Sequence, residues 1–109
     1  MKTPIGQFRI GEKLGTDVPP GTVFKSRQPV GFQEEFPPDD DLVLTRILWL
    51  DGTEPHNANT RERFIYIHGT NHEHRIGEPA SHGCIRMKNA DLIELFDLIE
   101  PGTPVLIEE

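Results

Sequence analysis

Residues 81–87 read Ser-His-Gly-Cys-Ile-Arg-Met, and residues 66–70 upstream read Tyr-Ile-His-Gly-Thr. The first stretch holds the only cysteine of the 109-residue chain, Cys84, between a glycine and a β-branched residue. The second places His68 at the end of an apolar run that is typical of a β-strand. A cysteine and a histidine in such settings indicate a thiol nucleophile whose base is held by a rigid strand.

The thiol at position 84 needs activation, because the thiolate is the reactive form and a free cysteine has a pKa of about 8.5. His68 can accept the proton. Arg86 stands two residues after Cys84, and in an extended segment the two side chains point to the same side, about 7 Å apart at the backbone. We expect the guanidinium to lower the thiol pKa and to bind a substrate carboxylate through two parallel hydrogen bonds.

The residues just before the cysteine have a use in acyl transfer. Gly83 lets the backbone turn and approach a substrate closely, and the N–H groups of His82, Gly83 and Cys84 can form a nest for an oxyanion. Each residue also has a purely structural interpretation. A lone cysteine is more often a small buried hydrophobe, His68 and His82 can serve as hydrogen-bonded structural residues, and Ser81 can brace the turn that presents the thiol.

Composition limits the classes of function. The length predicts one small domain over residues 1–109. The net charge is −7 and no basic run is present, so neither duplex nucleic acid nor an anionic membrane is an expected partner. No apolar stretch is long enough to predict a membrane span, and no basic-then-apolar signal peptide stands at the N-terminus of this chain.

Disulfide and metal chemistry are not expected. A single cysteine cannot form an intrachain disulfide. His72 and His74, with His82 and Cys84, come nearest to a zinc pattern, but their spacing is uncommon for zinc and thiol-rich ligation is absent. We therefore predict no metal site.

Short strands joined by turns account for most of the chain. Phe64, Tyr66 and His68 alternate with Ile65 and Ile67, which predicts a strand with apolar residues on both faces and therefore covered on both sides. The acidic segment 27–41 is predicted as a loop, either over the site or simply solvated. The other predicted strands lie around Phe8 and Ile10, at 22–25, at 42–50 before a turn at Asp51-Gly52, and at 103–107, with a loop at 53–62.

One helix is predicted near the C-terminus. Asn89 is a favourable N-cap and Asp91 lies in the first turn. Pro101-Gly102 ends the helix. Its apolar stripe consists of Leu92, Leu95, Phe96 and Ile99. These elements predict a mainly-β fold with one helix packed on it.

Four stretches of the chain resemble the catalytic domain of the L,D-transpeptidases. They are Thr-Pro-Ile-Gly-Gln-Phe at 3–8, Tyr-Ile-His-Gly-Thr at 66–70, Ile-Gly-Glu-Pro-Ala at 76–80 and Ser-His-Gly-Cys-Ile-Arg-Met at 81–87. The resemblance covers nearly the whole chain, and Ser-His-Gly-Cys with an upstream His-Gly is a specific signal. It implies a β-sandwich-like fold with Cys84 as the nucleophile and His68 as the general base. The carbonyl of Gly69 would orient that base.

The same resemblance implies where a substrate is bound. The segment 82–84 matches the oxyanion hole and Arg86 matches a substrate-contacting position. Some family members have Asn two residues after the cysteine, so Arg86 leaves the substrate preference open. The site residues predicted in this way are Cys84, His68, Gly69, His82 and Gly83 for catalysis, and Arg86, Ser81 and Tyr66 for substrate binding.

The reaction implied by the resemblance is the formation of peptidoglycan cross-links. A tetrapeptide stem donates an acyl group through a thioester to an acceptor amine, without a cofactor, in the cell envelope or periplasm. Two alternatives remain: a hydrolase (carboxypeptidase or endopeptidase) that uses the same thioester, and a truncated non-catalytic wall-binding module. Only two residues precede the 3–8 turn, where family members usually have further strands. We therefore expect a shortened domain whose N-terminal edge is exposed or covered by a partner copy in a homo-oligomer.

Overall fold

The computed structural model describes residues 3–77 and 83–108. Seven strands and one α-helix form the regular structure of these residues, with short 3-10 helices at Gln33–Glu35, Pro55–Asn57 and Glu73–Arg75. The strands are β1 (Gly6–Leu14), β2 (Thr22–Lys25), β3 (Gln28–Phe32), β4 (Val43–Gly52), β5 (Tyr66–Gly69), β6 (Ile85–Met87) and β7 (Pro104–Ile107), and the helix is α1 (Asn89–Leu98).

All seven strands belong to one sheet built around the long strand β4. β4 pairs antiparallel with β1, β2 and β5, while β3 adds to β2 and β7 adds to β1, also antiparallel. β6 pairs with β5 in parallel, which sets His68 opposite Arg86 and Ile67 opposite Ile85. The parallel pair therefore brings the cysteine-containing stretch alongside the histidine-containing one.

The sheet is covered on both faces around β5. One face packs on α1, and on the other face Ile47, Tyr66 and Phe24 form a second cluster with Trp49 and Cys84 at its border. Cys84 thus lies on the face opposite α1. The buried residues of the core under α1 are Phe8, Ile10, Leu48, Leu50, Ile65, Ile67, Leu92 and Phe96.

The mainly-β architecture with one helix near the C-terminus is confirmed, and so are several details. β2 occupies the predicted residues 22–25, and β7 lies within 103–107. Phe8 and Ile10 share one buried face of β1. Ile67 packs in the core under α1 whereas Tyr66 packs in the opposite cluster, as their alternation predicts.

The prediction of a loop over 27–41 was wrong in part, because β3 and the 3-10 helix Gln33–Glu35 lie inside it. β2 and β3 form a hairpin whose turn residues, Ser26 and Arg27, have φ values of 48° and 66°. Such turns usually carry glycine or asparagine, and neither is present to signal the hairpin. Pro29 is tolerated because β3 is an edge strand.

Two strand boundaries also differ from the prediction. Asp51 and Gly52 continue β4 instead of turning, because they pair with Arg9 and Phe8 of β1. β5 begins only at Tyr66, since Phe64 has a φ of 56° and belongs to the preceding turn. A positive φ at an aromatic residue interrupts an extended chain in a way that residue type does not reveal.

The predicted N-cap was wrong by one position. Asn89 is the first helical residue, and the cap residue Lys88 makes no side-chain capping bond. The backbone N–H of Asn89 donates to Glu73 Oε2 at 2.7 Å, and its side chain bonds to Thr70 and Thr45. Tertiary hydrogen bonds therefore occupy the side-chain amide of Asn89, which is no longer available to cap the helix.

The expectation of an unpaired N-terminal edge does not hold for the first strand. β1 pairs with β4 on one side and with β7 on the other, where Gly6 lies opposite Ile107. The last strand of the chain thus covers the first, and a homo-oligomer at this edge stays a prediction. No helix in the part of the chain that the structure describes is long and apolar enough to cross a membrane.

Candidate active site

Cys84 lies immediately before β6, at a point where the chain turns. Gly83 has a φ of 88°, in the left-handed region that glycine adopts without strain. The Sγ atom accepts the N–H of Tyr66 at 3.4 Å and donates to the carbonyl oxygen of Phe64 at 3.3 Å. Because one partner begins β5 and the other lies in the turn just before it, the thiol is held against the strand that carries His68.

His68 lies on the same face of β5 as Tyr66, two residues or about 6.5 Å further along the strand. Its side chain is buried, and its Nδ1 atom is 2.6 Å from the carbonyl oxygen of Gly69. A carbonyl oxygen only accepts hydrogen bonds, so Nδ1 carries the hydrogen and Nε2 keeps its lone pair. This is the tautomer in which Nε2 can act as a base.

Gly69 is required by close packing. A Cβ at this position would lie 2.7 Å from the carbonyl oxygen of Leu44 in β4, and it would overlap the side-chain amide of Asn89. The Oδ1 atom of Asn89 also accepts the hydroxyl of Thr45 at 2.7 Å. Glycine therefore lets β4, β5 and the start of α1 meet at the carbonyl that orients His68.

Burial determines the resting protonation of the two candidate catalytic groups. It raises the pKa of the Cys84 thiol and lowers the pKa of the His68 imidazole. The N–H of Tyr66 and the charge of Arg63 lower the thiol pKa to a smaller extent, while the charge of Asp41 raises it. At neutral pH the resting pair is therefore a thiol and a neutral imidazole, which agrees with the thiol donating a hydrogen bond.

Arg86 lies in β6, two residues after Cys84, but its guanidinium is held by an acid. Arg86 Nη2 is 2.6 Å from Asp41 Oδ2, and the arginine side chain is only 7% exposed. The cation whose charge lowers the Cys84 pKa is Arg63, which corrects the expectation placed on Arg86. The charge of Arg86 acts on His68 instead and lowers its pKa, while Asp41 raises it.

A second arginine stands on the same side of the sheet. Arg27, in the turn between β2 and β3, donates from Nη1 to the hydroxyl of Tyr66 at 3.2 Å. Its guanidinium stacks over the rings of Phe64 and Trp49, 4.7 and 5.3 Å from their centroids. Tyr66 is therefore nearly buried and engaged through its hydroxyl, and the hairpin turn supplies a cation that stacks on the neighbouring aromatic rings.

The β5–β6 pair brings together most of the predicted site residues, namely Cys84, His68, Gly69, Gly83, Tyr66 and Arg86. Ser81 and His82 lie outside the described residues, so their roles stay predictions. Sequence reasoning missed the contacts that four further residues make here, Asp41, Arg27, Arg63 and Asn89. Asp41 and Arg27 come from distant parts of the chain, whereas Arg63 and Asn89 lie near the two stretches and Asn89 was expected only as a helix cap.

The sequence model of the YkuD family, described as the L,D-transpeptidase catalytic domain, matches residues 1–107. Curated relatives match over shorter segments. YqjB of Bacillus subtilis strain 168, named as a candidate L,D-transpeptidase, is 48% identical over 50 residues, which are 46% of this chain and 28% of YqjB. YkuD of the same strain, similarly named, is 54% identical over 41 residues, 38% of this chain and 25% of YkuD.

YbiS of Escherichia coli strain K12, also named as a candidate L,D-transpeptidase, is 46% identical over 43 residues, 39% of this chain and 14% of YbiS. The matched segments thus span less than a third of the length of these relatives. The family model, in contrast, covers nearly the whole of the chain and includes Cys84 and His68. The chain therefore belongs to the L,D-transpeptidase catalytic domain family.

Proposed function

We propose that residues 1–109 act as one catalytic domain that cross-links peptidoglycan stem peptides by acyl transfer through Cys84. The observation that supports this most is the placement of the thiol. Cys84 Sγ accepts the backbone N–H of Tyr66 at 3.4 Å, two residues from His68 on the same face of β5. A nucleophile and a base on one rigid strand pair are what a cysteine acyltransferase needs.

The resting charges suggest how attack begins. A partly buried thiol with a raised pKa and a buried imidazole with a lowered pKa do not exchange a proton at rest. Proton transfer from Sγ to Nε2 of His68 is therefore coupled to attack on a bound carbonyl, where the imidazolium gains the developing oxyanion as a counter-charge. The Gly69 carbonyl holds Nδ1–H throughout, so the ring does not turn.

The donor is a stem tetrapeptide, and the reaction has two halves. Cys84 attacks the carbonyl on the L-centre of the diaminoacyl residue, a C–S bond forms, and D-alanine leaves with the proton carried by His68. An acceptor amine then attacks the thioester, His68 takes its proton, the C–S bond breaks, and an amide cross-link joins two third residues. The thiol is regenerated, and the atoms balance without a metal or an organic cofactor.

The remaining predicted residues bind the donor. The N–H groups of the 82–84 segment stabilise the oxyanion, Arg86 contacts a donor carboxylate, and Ser81 and Tyr66 shape the surface around it. Since stem peptides are components of the wall, the proposed location is the cell envelope or periplasm.

The direct test is product analysis with a tetrapeptide stem and an acceptor stem. We expect a cross-linked dimer and free D-alanine from the parent protein, and neither from Cys84→Ala. His68→Ala should lower the rate by about 10²–10⁴-fold, the usual contribution of a general base. A free tripeptide carboxylate with no dimer would identify the hydrolase instead. Binding of stem peptide without turnover in the parent protein and in Cys84→Ala would identify a non-catalytic module.

A further inference from the structure

Asp41 comes from the irregular segment before β4 and reaches the centre of the site. Its Oδ2 atom is 2.6 Å from Nη2 of Arg86, and its charge acts on the pKa of both His68 and Cys84. The two partners differ in exposure, since the Arg86 side chain is 7% exposed and the Asp41 side chain 40%. The arginine is therefore fixed within the protein, whereas the acid approaches it from the solvent side.

The contact between them leaves a donor unused. Within the described residues, the Nε–H group of Arg86 is buried without a hydrogen-bond partner. A guanidinium can bind a carboxylate through two parallel N–H···O bonds, but Asp41 takes one. A carboxylate free to choose its orientation can accept from Nε and Nη2 of Arg86 together, whereas Asp41, tethered to the chain, accepts from Nη2 alone.

We propose that Asp41 is an internal competitor for the substrate carboxylate at Arg86, so that a donor binds by displacing it. The inference rests on the proposed function in one respect, namely that Arg86 contacts the donor. Displacement exposes a partly solvated aspartate to water while Arg86 exchanges one carboxylate for another. Asp41 would then be a specificity-determining residue, because a ligand carboxylate must bind Arg86 more strongly than Asp41 does in order to displace it.

The test uses two small reagents that alkylate Cys84, the only cysteine of the chain. Iodoacetate carries a carboxylate and iodoacetamide does not. The ratio of their rate constants reports carboxylate recruitment beside the thiol. Changes in thiol pKa affect both reagents and cancel from the ratio. We expect Asp41→Asn to raise the ratio roughly threefold or more at physiological salt.

A double-mutant cycle separates release of Arg86 from the loss of one negative charge. In the Arg86→Gln background, Asp41→Asn removes the same charge but releases no arginine. The ratio of the two rate constants should then rise only slightly, through the change in charge alone. Asp39→Asn, which makes the same charge change two residues away, should leave the ratio near that of the parent protein. An equal rise in both backgrounds, an equal rise in Asp39→Asn, or no rise in Asp41→Asn would overturn the proposal.

If Asp41→Asn fails to fold, displacement of Asp41 can be tested on the parent protein. Titration with acetate, followed by NMR, should move the Arg86 Nε–H resonance and the Asp41 carboxyl carbon resonance along one saturation curve. Unlinked movement, or none, would contradict displacement. Neither experiment requires turnover, so a protein that alkylates as expected but makes no cross-links would refute the proposed function and leave the competition between carboxylates standing.

Discussion

Replacing His68 with glutamine should remove a defined part of the pH dependence of stability. Burial lowers the pKa of His68 in the folded protein, whereas the unfolded chain has an ordinary histidine pKa of about 6.5. As the pH falls, the unfolded state therefore takes up the proton first. The free energy of unfolding of the parent protein falls below about pH 6.5 through this group and is unaffected by it above that pH.

The size of the effect follows from the burial. The side chain is 5% exposed, so the folded protein gives the imidazolium little solvation. Below the unfolded-state pKa the loss approaches, at most, about 1.4 kcal/mol for each pH unit, and it ends once the folded form also protonates. The bond from Nδ1 to Gly69 and the charge of Asp41 both favour the protonated ring and limit the total.

Urea unfolding of the parent protein and His68→Gln between about pH 5 and pH 8 measures this term directly. Carboxylates and the other histidines titrate in both proteins and cancel in the difference. We expect the difference in unfolding free energy between the two proteins to be constant above about pH 6.5. Below that pH, the parent protein should lose stability relative to His68→Gln. A difference that stays constant, or that favours the parent protein as the pH falls, would refute a buried neutral His68.

Further predictions concern the neighbours of the pair. Gly69→Ala would bring a Cβ to 2.7 Å from the Leu44 carbonyl oxygen, so we expect a loss of about 2–3 kcal/mol in urea unfolding; unchanged stability would disprove the close packing. The alkylation rate of Cys84 with iodoacetamide should rise through a pKa above the value of about 8.5 for a free thiol, because partial burial raises the pKa; an inflection below that value would contradict a desolvated thiol. Arg63→Gln should slow this reaction about two- to threefold near neutral pH, since its charge lowers the thiol pKa; a faster rate would exclude that role.

The face of the sheet on which Tyr66 and His68 lie was predictable from the sequence. Alternation along 63–68 puts Tyr66 and His68 on one face and Ile67 on the other, and burial against α1 selects the isoleucine face for the core. The thiol then reaches the histidine face because β6 pairs in parallel with β5. Period-two patterns carry this information wherever both faces of a strand are covered.

The charges around the thiol were not predictable in the same way. Asp41 and Arg86 are 45 residues apart, so nothing in the local sequence assigns the acid to the arginine. Arg27 reaches Tyr66 only because Ser26 and Arg27 both take positive φ values in a turn without glycine. Tertiary contacts therefore decided which cation acts on the Cys84 thiol, and local spacing pointed to Arg86 instead of Arg63.

Intact-protein mass spectrometry after incubation with a carbapenem asks whether Cys84 forms an acyl-enzyme. Attack of the Cys84 thiolate on the β-lactam carbonyl opens the ring and forms a thioester without a leaving group. We expect a single adduct with the mass of one carbapenem on the parent protein and none on Cys84→Ala. No adduct on the folded parent protein, or an adduct that persists in Cys84→Ala, would contradict Cys84 as the acylated nucleophile.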